Sequence, residues 1–386
     1  MKFVFNIQIV FVNKNFVLAL IGIGIGGIGF GLITPVTVVL LENNHTPSWI
    51  TGSSTMVGYL SVVLFSGFAG KVIDKFSIRA AMLAGLTIWM IGAALHVFWY
   101  IYPLLYAVKF FMGIGGTFVF VATEVTINHY SNETNRGKNI GLYVVLLSIG
   151  IAAGTLLIWT IKFGDWIPFV IGAVIMFFVL LLQYFLFEPI ITNDNKQIIS
   201  KLSLRQMPLI GLLSSMVYGL FESSVIVALP IYGLRNNFTS NEVSFFLASF
   251  VIGGIILGYL VSRLSDKVSK FSLIVVIALS LGLLFALPTL NSNYYFLLAV
   301  FFLIGGIVPA FYTVGLNYTI EQVDKTYIAQ ANGYYIMMYG IGTIAGPLLG
   351  AGLVEFDKQN GYWLFSALLC LIFALGFYSF NRIRWR

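Results

Sequence analysis

Two features of the sequence predict an all-α polytopic membrane protein, with twelve transmembrane helices arranged as two six-helix bundles around a central cleft. The 386 residues are 59% hydrophobic and only 9% charged, with a mean hydropathy of +0.95, whereas soluble domains carry roughly 25% charged residues. Apolar runs of about 20 residues, enough to cross ~30 Å of hydrocarbon, recur along the chain. They lie at 15–41, 48–70, 79–99, 103–128, 139–162, 166–187, 207–233, 243–262, 272–290, 294–320, 331–354 and 360–381.

A polar stretch at 188–206 follows the sixth apolar run and divides the chain into nearly equal parts. We interpret it as a cytoplasmic central loop between an N-terminal bundle at 1–187 and a C-terminal bundle at 207–386. Because six spans are an even number, both bundles have the same orientation in the membrane. A pseudo-two-fold axis along the membrane normal, with a cleft between the bundles, is therefore expected.

An internal duplication supports this division. A shift of 192 residues aligns Asp74-Lys75-x-Ser77 with Asp266-Lys267-x-Ser269. The same shift places 141–157 over 333–349, and the identities include Gly141, Tyr143, Gly150, Gly154 and Leu156, which match Gly333, Tyr335, Gly342, Gly346 and Leu348. One shift that serves two distant regions indicates that the halves are structural repeats.

The stretch GIGIGGIGFG at 22–31 contains the G-x-G-x-x-G pattern of dinucleotide-binding proteins twice. That pattern requires a preceding strand and a helix N-terminus open to water, whereas this stretch lies inside the first predicted span. Its small residues at four-residue spacing instead favour close helix packing in lipid.

The distribution of basic residues predicts the topology. If the N-terminus is cytoplasmic, the cytoplasmic segments hold seventeen Lys and Arg residues and the outer loops hold three, Lys162, Arg235 and Lys358. Positive residues accumulate on the cytoplasmic side, so both termini are predicted in the cytoplasm of a multi-pass cell-membrane protein. The net charge of +7 is thereby assigned to topology and lipid contact, and no nucleic-acid partner is expected.

Several chemistries lack the residues that they need. The single cysteine, Cys370, excludes an intramolecular disulfide and a thiolate cluster. No Walker lysine, HExxH or GxSxG motif occurs, so neither ATP hydrolysis nor a common hydrolytic reaction is expected. We predict no cofactor and no metal, a monomer, and a proton as the coupling ion.

The loop after the second span reads Gly70-Lys-Val-Ile-Asp74-Lys75-Phe-Ser-Ile-Arg79. It resembles the signature loop of the major facilitator superfamily, although that family usually has glycine and arginine where Ser77 and Ile78 stand. The resemblance implies secondary transport by two rocking bundles. It assigns gating roles to Gly70, Asp74, Lys75 and Arg79, and to the repeat mates Asp266 and Lys267, with Asp74 against the start of helix 11.

Two further motifs resemble those of drug/proton antiporters within that superfamily. Helix 11 carries the full Gly342-x-x-x-Gly346-Pro347-x-x-Gly350 pattern, whereas helix 5 has only Gly150-x-x-x-Gly154. Where those antiporters place an arginine in helix 4, this chain has Lys109, which keeps the charge and lacks the planar fork. Gly346 and Pro347 are accordingly assigned to the gating helix.

Three ionisable residues, Lys109, Glu124 and Glu222, lie within predicted spans, where a charge costs ~3 kcal/mol on insertion scales. Glu222 is the most central and is predicted to bind substrate or proton; a buried structural hydrogen bond is the alternative. Glu124 lies near the cytoplasmic end of helix 4 and could serve gating or coupling. Weaker candidates for ligand hydrogen bonds are Asn128, Tyr143, Tyr218, Asn317, Tyr318 and Tyr335.

These features together favour a proton-coupled exporter of small molecules of the multidrug type. Export of an endogenous anionic metabolite, such as a carboxylate siderophore, is the alternative that Lys109 favours, and an uptake symporter is a third. A membrane-embedded enzyme would need clustered acids and histidines at one interface, and the three histidines, His45, His96 and His129, are scattered.

Overall fold

The computed structural model describes residues 13–132, 135–189, 202–264, 267–324 and 327–384. Within them the chain forms twelve α-helices and no strand. The helices are α1 (Lys14–Asn43), α2 (Ser48–Lys75), α3 (Ile78–Leu95), α4 (Tyr102–His129), α5 (Arg136–Thr155), α6 (Ile167–Leu186), α7 (Leu209–Arg235), α8 (Ser240–Leu264), α9 (Lys270–Ala286), α10 (Tyr294–Glu321), α11 (Ile328–Phe356) and α12 (Gly361–Arg384).

The predicted fold class is confirmed. Among the described residues, eleven helices are long and apolar enough to cross a membrane, and a shorter apolar segment, Gly361–Phe377, lies in α12. One predicted span differs in form: the run at 139–162 is α-helical only to Thr155 and continues as a 3₁₀-helix, Leu156–Phe163.

Local sequence explains several helix boundaries. The side chains of Asn13, Ser77 and Asn293 accept hydrogen bonds from the first-turn amides of α1, α3 and α10, which satisfies donors that the helix itself cannot pair. Proline stands in the first turn of α4 and α6, where its missing N–H costs nothing.

Helix pairing repeats after six helices. We call α1–α6 the N-half and α7–α12 the C-half. Packing of α1 on α5, α2 on α4 and α3 on α6 recurs as α7 on α11, α8 on α10 and α9 on α12. Single contacts also repeat at the shift of 192: Gly150 packs against the Gly24 carbonyl, and Gly342 packs against the Met216 carbonyl.

The domain bounds 1–187, 188–206 and 207–386 remain predictions, and residues 190–201 lie outside the described residues.

The glycine run of α1 packs closely against other helices, as the sequence predicts: Gly24, Gly27 and Gly31 face α5, whereas Gly22 and Gly26 face α6. A Cβ on Gly27 would lie 2.7 Å from the Leu147 carbonyl oxygen and 3.2 Å from the Cα of Gly150. The backbones therefore approach to a distance that only glycine permits, which is how small residues promote helix packing in lipid.

This packing yields a stability prediction. We expect Gly27→Ala to destabilise the protein by about 1–3 kcal/mol, because overpacking forces backbone shifts, and a lower melting temperature in detergent would show it. Gly67→Ala in α2 is the matched control, since its Cβ would meet nothing within 4 Å. Equal melting of the two variants would contradict the packing argument.

The halves meet along α2–α11, α5–α8 and α1–α7. We call the end where α1 begins the terminal end and the other the opposite end. Near the opposite end, a Cβ on Gly52 of α2 would lie 2.8 Å from the Pro347 carbonyl oxygen of α11. Near the middle of the two helices, a Cβ on Gly340 of α11 would lie 2.8 Å from the Val63 side chain of α2. The two helices are therefore in close contact from their middle to the opposite end.

The same two helices separate toward the terminal end. Gly70 lies seven residues beyond Val63 on α2, and Gly333 lies seven residues before Gly340 on α11, so each continues the contact face of its helix. A Cβ on either glycine would meet nothing within 4 Å. The cleft is therefore closed at the opposite end and open at the terminal end.

Candidate substrate and proton site

Glu222 lies at the middle of α7, thirteen residues from Leu209 and thirteen from Arg235, or about 20 Å from each end at 1.5 Å per residue. The Tyr339 hydroxyl of α11 donates a 2.6 Å hydrogen bond to its Oε2, and the Tyr218 hydroxyl lies beside the same carboxyl. Among the described residues, no Lys, Arg or His forms an ion pair with Glu222. The central acid therefore has neutral hydroxyl donors, and no cationic side chain within the described ranges is paired with it.

Three tyrosines surround this acid, and we call Tyr218, Tyr312 and Tyr339 the tyrosine cluster. Ring centroids are 5.2 Å apart between Tyr218 and Tyr312, 5.5 Å between Tyr218 and Tyr339, and 5.7 Å between Tyr312 and Tyr339. Tyr59 of α2 contributes a hydroxyl from the N-half, within electrostatic range of Glu222. All four rings are half-buried, so the site combines aromatic faces with hydroxyl groups.

The wall of the N-half is apolar at the corresponding depth. Under the shift of 192, Phe30 corresponds to Glu222 and Phe120 to Tyr312. The Phe30 ring stacks on Phe120 at 5.0 Å and meets Trp89 edge-on at 4.8 Å. At the same depth, the N-half therefore has an apolar aromatic wall and the C-half has the polar tyrosine cluster.

Tyr335, a predicted ligand residue, has its hydroxyl engaged within the C-half. It donates to the Tyr312 carbonyl at 2.7 Å, and its own carbonyl accepts a 2.7 Å hydrogen bond from the Ser215 hydroxyl. Tyr335 is fully buried and joins α7, α10 and α11. Asn317 lies half-buried on α10, five residues beyond Tyr312.

Glu124 lies on the terminal-end side of the central site, five residues before the end of α4 and within electrostatic range of Tyr312. Its side chain is exposed, and its Oε1 accepts a hydrogen bond of 3.4 Å from the hydroxyl of the buried Tyr143. The acid therefore lies near the open end of the cleft, where an entering solute would pass.

Lys109 lies between α4 and α2. Its Nζ donates a 2.8 Å hydrogen bond to Thr55 Oγ1, and the residue is only 7% exposed. Thr55 is one turn from Tyr59 on α2, which places the ammonium toward the opposite end from the tyrosine cluster. No carboxylate forms an ion pair with it within the described ranges.

The sequence indicated Glu222 and Tyr218 but missed Tyr59, Tyr312 and Tyr339. The available signal was helical spacing: Tyr339 lies one turn beyond Tyr335, and Tyr218 one turn before Glu222. Spacing alone does not reveal which face of α11 meets α7. The glycines on α11 mark that face, because Gly342 and Gly346 pack against α7.

An open recess of about 740 Å³ lies at the opposite end between the halves. Its lining includes Trp159, Lys162, Asn241 and Phe245 and none of the predicted site residues. We assign the candidate site to the tyrosine cluster because the chemistry-bearing side chains converge there.

The family model of the Major Facilitator Superfamily matches residues 14–206 and 211–384. The chain belongs to this superfamily. A superfamily protein described as the uncharacterized MFS-type transporter YfkF of Bacillus subtilis is 25% identical over 92% of each chain. The uncharacterized MFS-type transporter YcaD of Escherichia coli O45:K1 is 24% identical over 94% of this chain and 95% of its own.

A crystal structure of a point mutant of the nucleoside transporter NupG shares the superfamily fold. Its TM-score is 0.75 over 95% of this chain and 99% of that one, at 15% identity. That likeness supports the fold, and the relatives support membership of a transporter family.

The superfamily signature loop joins α2 to α3 at the terminal end. Arg79 donates a hydrogen bond to the Tyr184 carbonyl and lies over the Tyr184 ring at 5.6 Å, so it ties α3 to α6 within the N-half. Asp74 and Lys75 are exposed, and the Lys75 ammonium lies 5.3 Å from the Phe76 ring. The gating roles of these residues stay predictions.

In the C-half, Lys267 is exposed just before α9, whereas Asp266 lies outside the described residues. Gly346 packs against Leu220, Ser223 and Ser224 of α7. The neighbouring Pro347 presents its carbonyl to Gly52 of α2. The Gly-Pro pair therefore lies where α11 packs on α7 of its own half and on α2 of the other half, and its gating role stays a prediction.

Asp74→Asn tests the signature loop. In the state closed at the terminal end, Asp74 is predicted to lie against the start of α11, where a charge contributes typically 0.3–1 kcal/mol. We expect the substitution to favour the terminal-open form by a few-fold, with a modest rise in labelling of cysteines placed in α2 and α11. Unchanged labelling would leave Asp74 without a gating role.

Proposed function

We propose that this superfamily member is a monomeric, proton-coupled exporter of small aromatic or amphipathic cations, in which Glu222 binds proton and substrate in turn. The observation that carries the proposal is a central acid among tyrosine hydroxyls and rings, with which no cation in the described part of the chain forms an ion pair. A proton or a substrate cation would each supply the missing charge, and no organic cofactor is needed.

Competition for one carboxylate is sufficient for exchange. An uncompensated charge at mid-membrane is costly, so Glu222 favours being protonated or paired with a cation. A cation that binds displaces the proton, and a proton that binds displaces the cation. If the bundles change access only when one of the two is bound, the proton gradient drives the substrate in the opposite direction.

The aromatic surroundings suit the same ligand class. Tyrosine faces attract cations by roughly 0.5–2 kcal/mol, and the Phe30–Phe120 wall offers apolar area to the rest of the molecule. A ligand with a charged or polar part and a flat apolar part would meet both walls.

The proposal places the terminal end in the cytoplasm of the cell membrane. By sequence, seventeen Lys and Arg residues fall in the segments assigned to that side and three in those assigned to the other, and positive residues mark the cytoplasmic side. With this orientation the described state is open to the cytoplasm, the state in which an exporter loads.

Proteoliposomes with a pH-sensitive dye inside test this function. Addition of a cationic dye should drive proton flux across the vesicle membrane, and an imposed pH gradient should drive the dye against its own gradient. With the purified protein in solution, dye binding should release protons. Tests with a nucleoside, prompted by the name of the structural relative, would detect uptake symport instead. Dye movement indifferent to the pH gradient would contradict proton coupling.

A second candidate, export of an anionic metabolite, is favoured by Lys109 alone. A buried ammonium whose described partner is one hydroxyl could bind a carboxylate, for example that of a siderophore. Growth and efflux of a deletion strain in metal-limited medium, compared with growth in the presence of cationic drugs, would distinguish the two substrate classes.

A further inference from the structure

Four side chains form a compact polar cluster at the opposite end, and we call it the arginine latch. Arg235 at the end of α7 binds Glu42 through Nε at 2.6 Å and Nη2 at 3.3 Å. Its Nη2 also lies 2.7 Å from Glu355 Oε2 and 2.8 Å from Ser48 Oγ. Ser48 in turn donates to Glu355 at 2.6 Å. One guanidinium therefore bridges two carboxylates and a hydroxyl.

The latch joins the two halves. Glu42 and Ser48 belong to α1 and α2 of the N-half, whereas Arg235 and Glu355 belong to α7 and α11 of the C-half. The Arg235–Glu42 pair and both contacts of Ser48 thus cross the cleft. They lie one turn beyond Gly52, where the backbones of α2 and α11 come together.

Burial and geometry make this ion pair stronger than an ordinary surface pair. The Arg235 side chain is 22% exposed and that of Glu42 is 11% exposed. Two guanidinium nitrogens bind the two oxygens of Glu42, an arrangement roughly twice as strong as a neutral hydrogen bond. Separation of the halves would leave a partly buried carboxylate without its partner, which is costly.

The internal duplication does not account for the latch. Under the shift of 192, Arg235 corresponds to Asn43, Glu42 to Leu234, and Glu355 to Phe163. The symmetry-related seam between α5 and α8 therefore lacks the charges that the α2–α11 seam carries. The latch residues therefore lie at the α2–α11 seam, and α11 carries both Tyr339 of the central site and Glu355 of the latch.

The latch and the central site lie on the same two helices. Thirteen residues of α7 separate Glu222 from Arg235, and sixteen of α11 separate Tyr339 from Glu355, or about 20 and 24 Å. Gly342, Gly346 and Gly350 pack α11 against α7 between the two sites. A joint displacement of α7 and α11 relative to the N-half would therefore change the distances within the latch.

We propose that the arginine latch holds the opposite end of the cleft shut and sets the balance between the two access states. Release requires Arg235 to leave Glu42 and Ser48 while it keeps Glu355, which travels with it on the α7–α11 pair. The inference goes beyond the proposed function, since it applies whatever substrate or ion is carried.

Distance measurements between spin labels test the latch without a substrate. Labels at the exposed Asn43 of the N-half and Gln359 of the C-half, in a Cys370→Ala background, report the width of the opposite end. We expect Arg235→Ala to raise the ratio of opposite-open to opposite-closed molecules by about tenfold, equal to about 1.4 kcal/mol. Arg235→Lys should give a smaller rise, because one ammonium cannot form both bonds to Glu42.

Lys358→Ala is the matched control, since it removes an exposed cation at the same end that forms no ion pair among the described residues. It should leave the distances unchanged. Glu42→Gln should widen the opposite end as Arg235→Ala does. A distribution in Arg235→Ala equal to that of the parent protein, with Glu42→Gln also silent, would overturn the latch. Absence of proton coupling would overturn the proposed function alone.

Discussion

Glu222→Gln should abolish substrate-induced proton flux in proteoliposomes while the protein remains folded. The amide has nearly the same volume, and its oxygen still accepts the hydrogen bond that Tyr339 donates to Oε2. What the variant loses is ionisation. We expect the coupled proton flux to fall by at least about 100-fold, in the range that loss of an essential proton-transfer group produces.

The same variant should weaken binding of a cationic dye. A cation 4 Å from the Glu222 carboxylate gains about 4 kcal/mol at an effective dielectric near 20, so its affinity should fall by up to about a thousandfold. Tyr339→Phe removes one hydroxyl and keeps the ring. It should therefore reduce dye affinity by far less than Glu222→Gln does.

Glu124→Gln is the matched control, because it makes the same acid-to-amide change in the same protein at an exposed position near the terminal end. Its effect on proton flux should be small beside that of Glu222→Gln. Flux at the parent rate in Glu222→Gln would contradict the assignment of the coupling site, and equal losses in both variants would show that the two acids share the role.

The sequence was most informative where local pattern and packing coincide. The glycine run of α1 was predicted to pack closely against another helix, and Gly27 does so against Leu147 and Gly150 of α5. The duplication at a shift of 192 reappears in the packing of the repeat mate: Gly219 meets the Tyr339 carbonyl and the Thr343 amide, as Gly27 meets the Leu147 carbonyl and the Ile151 amide. Both inferences depend on spacing within one or two helices, which the sequence contains directly.

Contacts between helices that are far apart in the sequence could not be predicted in this way. Arg235 was interpreted as an outer-loop cation that fixes topology, yet it binds Glu42, 193 residues away. Tyr339 and Tyr312 join Glu222 only because α10 and α11 bring them to α7. The first pairing follows from how the two bundles are placed against each other, and the second from how three helices are placed within one bundle. The periodicity of a single helix encodes neither placement.

Lys109→Ala distinguishes a cationic substrate from an anionic one. Under the proposed function, we expect this variant to bind a cationic dye at least as tightly as the parent protein does. A bound cation at the tyrosine cluster would lie one to two turns from the ammonium. At about 10 Å and an effective dielectric near 20, the repulsion is about 1.7 kcal/mol. Its removal should therefore strengthen dye binding by up to about tenfold, while proton coupling is lost if Lys109 relays or balances the charge on Glu222.

An anionic substrate predicts the reverse. A carboxylate 4 Å from Lys109 gains about 4 kcal/mol, so Lys109→Ala should weaken its binding by up to about a thousandfold, and Lys109→Arg should largely retain it. Because Lys109 donates to the buried Thr55, Lys109→Met, which fills similar volume, controls for a packing defect between α4 and α2. Labelled carboxylate and labelled dye, each titrated against the parent and the three variants, separate the outcomes. If neither ligand responds to the alanine or methionine variant, Lys109 takes no part in binding, and its bond to Thr55 serves only to join α4 to α2.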